Sequence, residues 1–375
     1  MLVGVYDRRH SETNTSIKPK LSMPLSRCAI ANNNKNSNYG SVGTNNVNFC
    51  APTPAVILKS RKSASLKTTV KVETTEEENT EEEVIEHSGK CINIGNGKYE
   101  FWDTPSSLVG RGSYGIVFRG TRLSRRQPVA VKRMWRMNVR PDELEAMKCV
   151  RNENLVLLLD VCDDVNDSIS YLVMELCDTD LDRHLRETSS GYLERPEDIR
   201  VVVESVARGY YALFEKHIVH RDLKPQNILL LYKLPDKNER RICNAKITDF
   251  GVSRVLNDEN MGLCNVAGTL LFMAPEVGAN LVAISEYDHK ADMWSIGCLF
   301  FQCSSGSTPF DEASLCRLFL HCACSNFDGY EVPDLPQKTE PTFRSLICSL
   351  LQIDSSKRPT PRHLLDAAES LCIKN

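Results

Sequence analysis

Long apolar runs are missing from this sequence. The longest, "NILLLY" and "GCLFF", fall far short of the about 20 residues a helix needs to cross a bilayer. Charge of one sign is missing too. The 46 Lys and Arg against 49 Asp and Glu leave a net charge of −3, so no general affinity for nucleic acid or an anionic membrane is implied. The first ten residues, "MLVGVYDRRH", carry charge where a secretory signal needs its apolar centre. These absences place the chain inside the cell, in the cytoplasm or the nucleus. The stretch "KSRKS" is too short to argue for nuclear import.

There is no cysteine framework. The 15 cysteines are odd in number and scattered, which suits reduced thiols used as small apolar residues. "HCAC" (His321 to Cys324) is no metal site by this reading, since no second cluster matches it. Leu315, Leu318, Phe319 and Cys322 instead recur at helical spacing, as one packed helix face does. No internal repeat is visible either.

Residues 1–95 differ from the rest. "NNNKNSNYGSVGTNNVNF" is poor in aliphatic side chains, "KSRKSASLK" is basic and "ETTEEENTEEEVIE" is acidic. Such a stretch buries too little apolar surface to offset its ordering entropy, and disorder is expected. Ser63 and Ser65 follow Arg61 and Lys62 and would suit a basic-directed kinase; a solvated linker explains them equally well.

From Lys98 the pattern changes. "YEFW", "GIVFRG", "PVAVKR", "NLVLLLDV" and "SISYLVMEL" read as strands. "PDELEAMKCV" opens with Pro141 and repeats Leu144, Met147 and Val150, which predicts a helix. After Met174 helical periodicity dominates, as in "EDIRVVVESVARGYYALFEKH", "DHKADMWSIGCLFFQC" and "TFRSLICSLL". The expectation is an α+β fold of two lobes with a crevice between them: a small β-rich N-lobe over about 98–174 and a larger helical C-lobe over about 178–372.

The chemistry-bearing residues cluster in four places. "GRGSYGIV" holds Gly110, Gly112, Gly115 and Val117 just after Val109. Glycines let a backbone pass close to phosphates and offer them its N–H groups. A dinucleotide fingerprint needs a helix right after the glycines. Here the strand "IVFRG" follows, so the loop is expected to join two strands as a hairpin, which favours a flap over a nucleotide. In "VAVK", Lys132 ends a strand and is placed to meet phosphate oxygens. It needs an acidic partner on the next helix. Glu143 is preferred, because it keeps Leu144, Met147 and Val150 in register for burial; Glu145 stays the alternative, and for either alone a solvated charge is the simpler reading. "HRDLKPQN" follows a helix, with Asp222 placed to orient and deprotonate a hydroxyl, Lys224 to neutralise a moving phosphoryl group and Asn227 to hold a metal ion. In "ITDFG", Asp249 would ligate magnesium, which prefers oxygen donors. Phosphoryl transfer needs positioning and charge stabilisation more than covalent help.

In this order and spacing the motifs, joined by "MAPE" (Met273 to Glu276), "DMWSIG" (Asp292 to Gly297) and "SSKRPT" around Arg358, resemble the eukaryotic protein kinase family over residues 98–372. The resemblance implies a protein kinase fold, ATP and Mg2+ as cofactors, and protein substrates. It implies a Lys132–Glu143 ion pair, Asp222 as base and Asn227 and Asp249 as metal ligands. It also implies Met174 as gatekeeper, Glu175 and Cys177 as backbone contacts to adenine, Ala130 against the adenine ring, and a Glu276–Arg358 pair anchoring the helical lobe. Lys224, with Gly268 and Thr269, points to the serine/threonine branch. Short stretches such as "MELCDTDLDRHL" and "GTLLFMAPE" also resemble the kinase domain of the unfolded-protein-response kinase–ribonuclease sensor; no ribonuclease activity is carried across.

Three departures stand out. The Lys132 to Glu143 separation is short for the family. "YKLPDKNERRICNAK" is inserted between Asn227 and Asp249, as a longer surface hairpin. From Asp249 to Glu276 the hydroxyls are Ser253 and Thr269, the latter expected in a structural role near the catalytic loop, while Asp258 and Glu259 offer fixed anions. Activity is therefore expected not to need phosphorylation of this segment. The rival reading is a pseudokinase-like scaffold with little catalysis; the presence of Lys132, Asp222, Asn227 and Asp249 argues against it.

Overall fold

A computed structural model describes residues 89–112, 115–164, 167–233, 240–250, 253–255, 263, 267–281 and 286–373. Ser63, Ser65, Asp258 and Glu259 lie outside these residues, as does most of the 1–95 stretch. The first strand, β1 (Lys90–Ile94), falls inside that stretch, so regular structure begins earlier than the sequence suggests. The reason is local: Ile92 faces Phe101 and Ile94 faces Tyr99 across an antiparallel pairing, and Ile94, Tyr99 and Phe101 are all buried.

The strands β2 (Tyr99–Asp103), β3 (Leu108–Gly112), β4 (Gly115–Arg122) and β5 (Gln127–Trp135) precede helix α1 (Pro141–Cys149), and β6 (Leu158–Asp164) and β7 (Ile169–Glu175) follow it. They form one sheet in the order β1-β2-β4-β5-β7-β6, with β3 added along β4. Side chains alternate across each strand. Thus Val129 and Val131 of β5 join Phe101, Phe118, Tyr171 and Val173 in a core of their own. Ala130 and Met134, on the opposite face, join the larger core that continues into the helical half. Lys132 shares that second face. The stretch Asn154–Leu157, expected within a strand of this sheet, instead runs beside the strand Arg241–Ile247 of the helical half: Leu155 bridges Ile247 in parallel.

The second half comprises β8 (Thr179–Asp180), α2 (Leu181–Glu187), α3 (Pro196–Phe214), β9 (Ile218–Val219), β10 (Ile228–Lys233), β11 (Arg241–Ile247), β12 (Arg254–Val255), α4 (Pro275–Ala279), α5 (Lys290–Ser305), α6 (Glu312–Ala323), α7 (Pro341–Leu350) and α8 (Pro361–Ile373). Helix starts follow capping chemistry. Proline begins α1, α3, α4, α7 and α8, where its missing N–H is not needed. Asp180 and Asp311 cap α2 and α6 by accepting the N–H of Arg183 and of Ser314, at 2.8 and 2.7 Å. Helix α3 buries Val202, Val203, Val206, Ala207, Tyr210 and Leu213, a stripe at helical spacing. Helix α5 is buried almost all round and forms the axis of this half. Helix α6 packs through Leu315 and Phe319, with Cys322 half-buried, the face that "HCAC" was expected to serve.

One buried ion pair locks the helical half. The Arg358 guanidinium donates two parallel hydrogen bonds to Glu276, at 2.6 and 2.8 Å, and a third to the carbonyl of Lys290 at 2.8 Å. Its Cζ lies 5.1 Å from the ring centre of Trp294. Bidentate geometry with the remaining donors satisfied is what makes a buried pair tolerable. The expected Glu276–Arg358 anchor is therefore present. No helix among the described residues is long and apolar enough to cross a membrane.

Candidate active site

The glycine-rich stretch lies on two antiparallel strands that pair as a hairpin. Gly110 pairs with Val117 and Gly112 with Gly115, across β3 and β4. The glycines serve different ends. A Cβ on Gly115 would stand 2.5 Å from the carbonyl oxygen of Arg133, so that position is reserved by packing on β5. A Cβ on Gly110 would meet nothing within 4 Å. Open space under a backbone with no side chain is what a phosphate chain requires.

Beneath this hairpin lies a cleft of about 770 Å³, lined on the strand side by Val109, Val117, Ala130 and Lys132 and on the other by Asp222, Asn227 and Asp249. Met174, Glu175 and Cys177 close its back edge. Its size suits a small-molecule ligand. The Cys177 thiol is buried, and burial, aided by the nearby Glu175 carboxylate, pushes it up to about 12. It is an apolar wall rather than a nucleophile.

Two loops bring the charged groups in. Lys132 Nζ reaches Asp249 Oδ1 at 3.0 Å. Asp249 has a positive φ of 64°, an uncommon conformation that aims its carboxylate out of the strand line. Burial pushes its pKa up, but the Lys132 ammonium outweighs this by charge and by hydrogen bond, helped by His220 and Lys224, and the net pKa lies below the usual range. The other loop hangs on α5. Asp292, fully buried, accepts the N–H of His220 at 2.6 Å, that of Arg221 at 2.7 Å and the Tyr210 hydroxyl at 2.9 Å. Burial pushes this carboxyl up, and those three donors oppose the push.

Asp222 therefore projects from a loop whose preceding residues are pinned. Its Oδ2 accepts Lys224 Nζ at 2.7 Å and Asn227 Nδ2 at 3.2 Å, and its Oδ1 accepts the Thr269 hydroxyl at 2.8 Å. Lys224 also donates to Thr269 at 2.7 Å. Because the Asn227 amide nitrogen is spent on the carboxylate and carbonyl of Asp222, its amide oxygen is the atom offered elsewhere. Asn227 and Asp249 are then two oxygen donors at one end of the cleft. Among the described residues no group of three or more His, Cys, Asp or Glu could hold a metal alone. Two protein oxygens completed by phosphates and water is the mode magnesium accepts, so the residues present fit a magnesium–nucleotide complex.

The expected site residues thus converge, with one exception left open. Glu145 is exposed, and the Glu143 side chain lies outside the described residues. Two participants were missed from sequence. Asp292 carried a signal: an aspartate in the first turn of a helix apolar on every side must find donors inside the protein. Glu175 was expected to act through its backbone alone, and no local pattern announced a role for its side chain.

A β-rich half and a helical half that share a glycine-roofed cleft define the protein kinase fold. The sequence profile described as "Protein kinase domain" matches residues 104–368. The human serine/threonine-protein kinase ULK1 is 34% identical over 275 residues, covering 70% of this chain and 24% of its own length. Serine/threonine-protein kinase unc-51 of Caenorhabditis elegans is 34% identical over 268 residues, 67% of this chain and 29% of its own. Serine/threonine-protein kinase fused of Drosophila melanogaster is 34% identical over 267 residues, 69% of this chain and 30% of its own. The chain belongs to the eukaryotic protein kinase family, among the serine/threonine kinases. It spans between 24% and 30% of the length of these three relatives.

Proposed function

We propose that the chain transfers the terminal phosphoryl group of ATP to serine and threonine hydroxyls of protein substrates. The observation that carries this reading is the convergence on one cleft of Asp222, held by Lys224, Thr269 and Asn227, with the Lys132–Asp249 pair. Asp222 orients the incoming hydroxyl and takes its proton as the new O–P bond forms and the bond to the leaving diphosphate oxygen breaks. Lys224 offsets negative charge on the moving group. Lys132 holds the nucleotide phosphates, as its Nζ already faces a carboxylate in the cleft, and Glu143 pairs with it. Val109, Val117 and Ala130 sandwich the adenine, while the backbones of Glu175 and Cys177 read its edge. Asn227 and Asp249 would hold the magnesium ion, which when bound neutralises phosphate charge and aligns the phosphates. The arrangement supplies positioning and electrostatics, which this reaction needs most.

The test is an in vitro assay of the purified chain with magnesium, ATP and a degenerate peptide library. Incorporation into serine and threonine peptides is expected, and its loss in Asp222→Ala and Lys132→Met with the fold intact. Nucleotide binding without any turnover by the wild type would instead support a scaffold that keeps the kinase shape. An intracellular location follows from the same reading, since both ATP and protein hydroxyls are available there.

A further inference from the structure

The side chain of Glu175 joins three segments at the back of the cleft. Its Oε1 accepts the backbone N–H of Leu157 at 2.7 Å and the Lys246 ammonium at 3.0 Å. Lys246 is only 8% exposed, and an ammonium so placed needs an anion beside it. The backbone N–H of Glu175 donates in turn to the carbonyl of Leu157 at 3.0 Å. The end of β7 and the chain entering β6 are therefore tied at two points. That same chain lies along β11: the N–H of Ile247 donates to Asn154 at 2.8 Å, and that of Val156 to Ile247 at 3.0 Å.

Strand β11 leads to the metal end of the cleft. Its register against β10 pairs Leu229 with Lys246 and Ile228 with Ile247. Asn227 immediately precedes Ile228, and Asp249 stands two residues beyond Ile247. The N–H of Thr248 donates to the carbonyl of Asn227 at 3.0 Å and closes this end of the hairpin. A restraint on Lys246 is thus a restraint on the strand pair that presents both oxygen donors.

We propose that Glu175 and Lys246 form a positioning pair that fixes Asn227 and Asp249 relative to the adenine edge, and so sets the metal-dependent part of nucleotide affinity. The proposal rests on the reading of the cleft as a magnesium–ATP site. Neither side chain touches the reacting atoms. Glu175→Gln keeps an acceptor for Leu157 but withdraws the anion from Lys246. Lys246→Met withdraws the cation from the other side.

The experiment is titration calorimetry of the full chain with ADP, once with excess magnesium and once with EDTA, alongside a thermal melt. The gain in affinity brought by magnesium is expected to fall roughly tenfold or more in Glu175→Gln and in Lys246→Met, the scale typical of lost support behind metal ligands. Affinity in EDTA is expected to fall by a clearly smaller factor than affinity with magnesium, and Lys246→Arg to restore most of the gain. A merely structural role would lower the melting temperature and weaken both titrations alike. Equal losses with and without magnesium, an unchanged magnesium gain in Glu175→Gln, or no magnesium gain in the wild type would each overturn the proposal. If Lys246→Met does not fold, Glu175→Gln decides. A wild type whose magnesium gain is lost in the variants, yet which phosphorylates no peptide, would uphold the positioning pair and sink the kinase reading.

Discussion

Thr269 donates its hydroxyl to Oδ1 of Asp222 at 2.8 Å while accepting Lys224 Nζ at 2.7 Å, across 47 and 45 residues of sequence. The proposed base is therefore steered by a residue of a different segment, and its free direction in the cleft is set by what Thr269 and Lys224 leave open. Thr269→Val preserves shape and removes both hydrogen bonds. A hydrogen bond to a charged group contributes about 1.5–3 kcal/mol, so kcat/KM for peptide is expected to fall roughly ten- to a hundredfold. Thr269→Ser is expected to retain most activity. Steady-state assays of the two variants check this; full activity in Thr269→Val, or a loss in Thr269→Ser as large as that in Thr269→Val, would show that the hydroxyl is not what steers Asp222.

Phosphorylation of the segment after Asp249 finds few acceptors. Ser253 is 2% exposed, and its hydroxyl faces the carbonyl of His220; Thr269 is committed to Asp222 and Lys224. Phosphatase treatment of purified protein is expected to leave peptide turnover unchanged, and mass spectrometry to find both residues unmodified in the active form. Loss of activity on dephosphorylation, reversed by restoring phosphate at Ser253, would refute this.

How much of this was legible beforehand depends on the distance over which each feature acts. The hairpin of Gly110 to Val117, the strand carrying Lys132 and the loop holding Asp222 and Asn227 are written in neighbouring residues, and strand alternation or glycine spacing exposes them. The Glu276–Arg358 pair spans 82 residues and was readable only through resemblance to a family. Asp292 and the Glu175 side chain depend on burial and on partners about 70 residues away, which no local period encodes. β1 escaped for the opposite reason: five residues are too few to stand out beside a long polar stretch, and only pairing with β2 makes them a strand.

The Glu276–Arg358 pair should behave as buried pairs do. Arg358→Met leaves a carboxylate without its cation inside the helical half, and a loss of about 3–5 kcal/mol in unfolding free energy is expected. Replacing both, Glu276→Met with Arg358→Met, is expected to cost less than the sum of the single changes, because no lone charge stays behind. Urea unfolding of the four proteins measures the coupling. Additive losses would mean that Arg358 acts mainly through Trp294 and the backbone carbonyls rather than through Glu276.

Two histidines predict the direction of the acid response. Burial lowers the pKa of His184, whose Nδ1 stands 2.7 Å from the Tyr232 hydroxyl. Burial also lowers that of His289, with Asp288 opposing and Lys290 reinforcing the shift. Both take up their protons at a lower pH in the fold than in the unfolded chain, where the usual value is about 6.5. Below that pH the unfolded state binds more protons than the native state, so stability falls as pH falls, and this loss is absent at pH 7.5. The melting temperature is expected to drop between pH 7.5 and pH 5.5. His289→Phe keeps an aromatic ring against Phe214, whose ring centre lies 4.9 Å away, and removes the titration, so its drop should be shallower than that of the wild type. A parallel pair of profiles would show that His289 binds its proton equally well in both states.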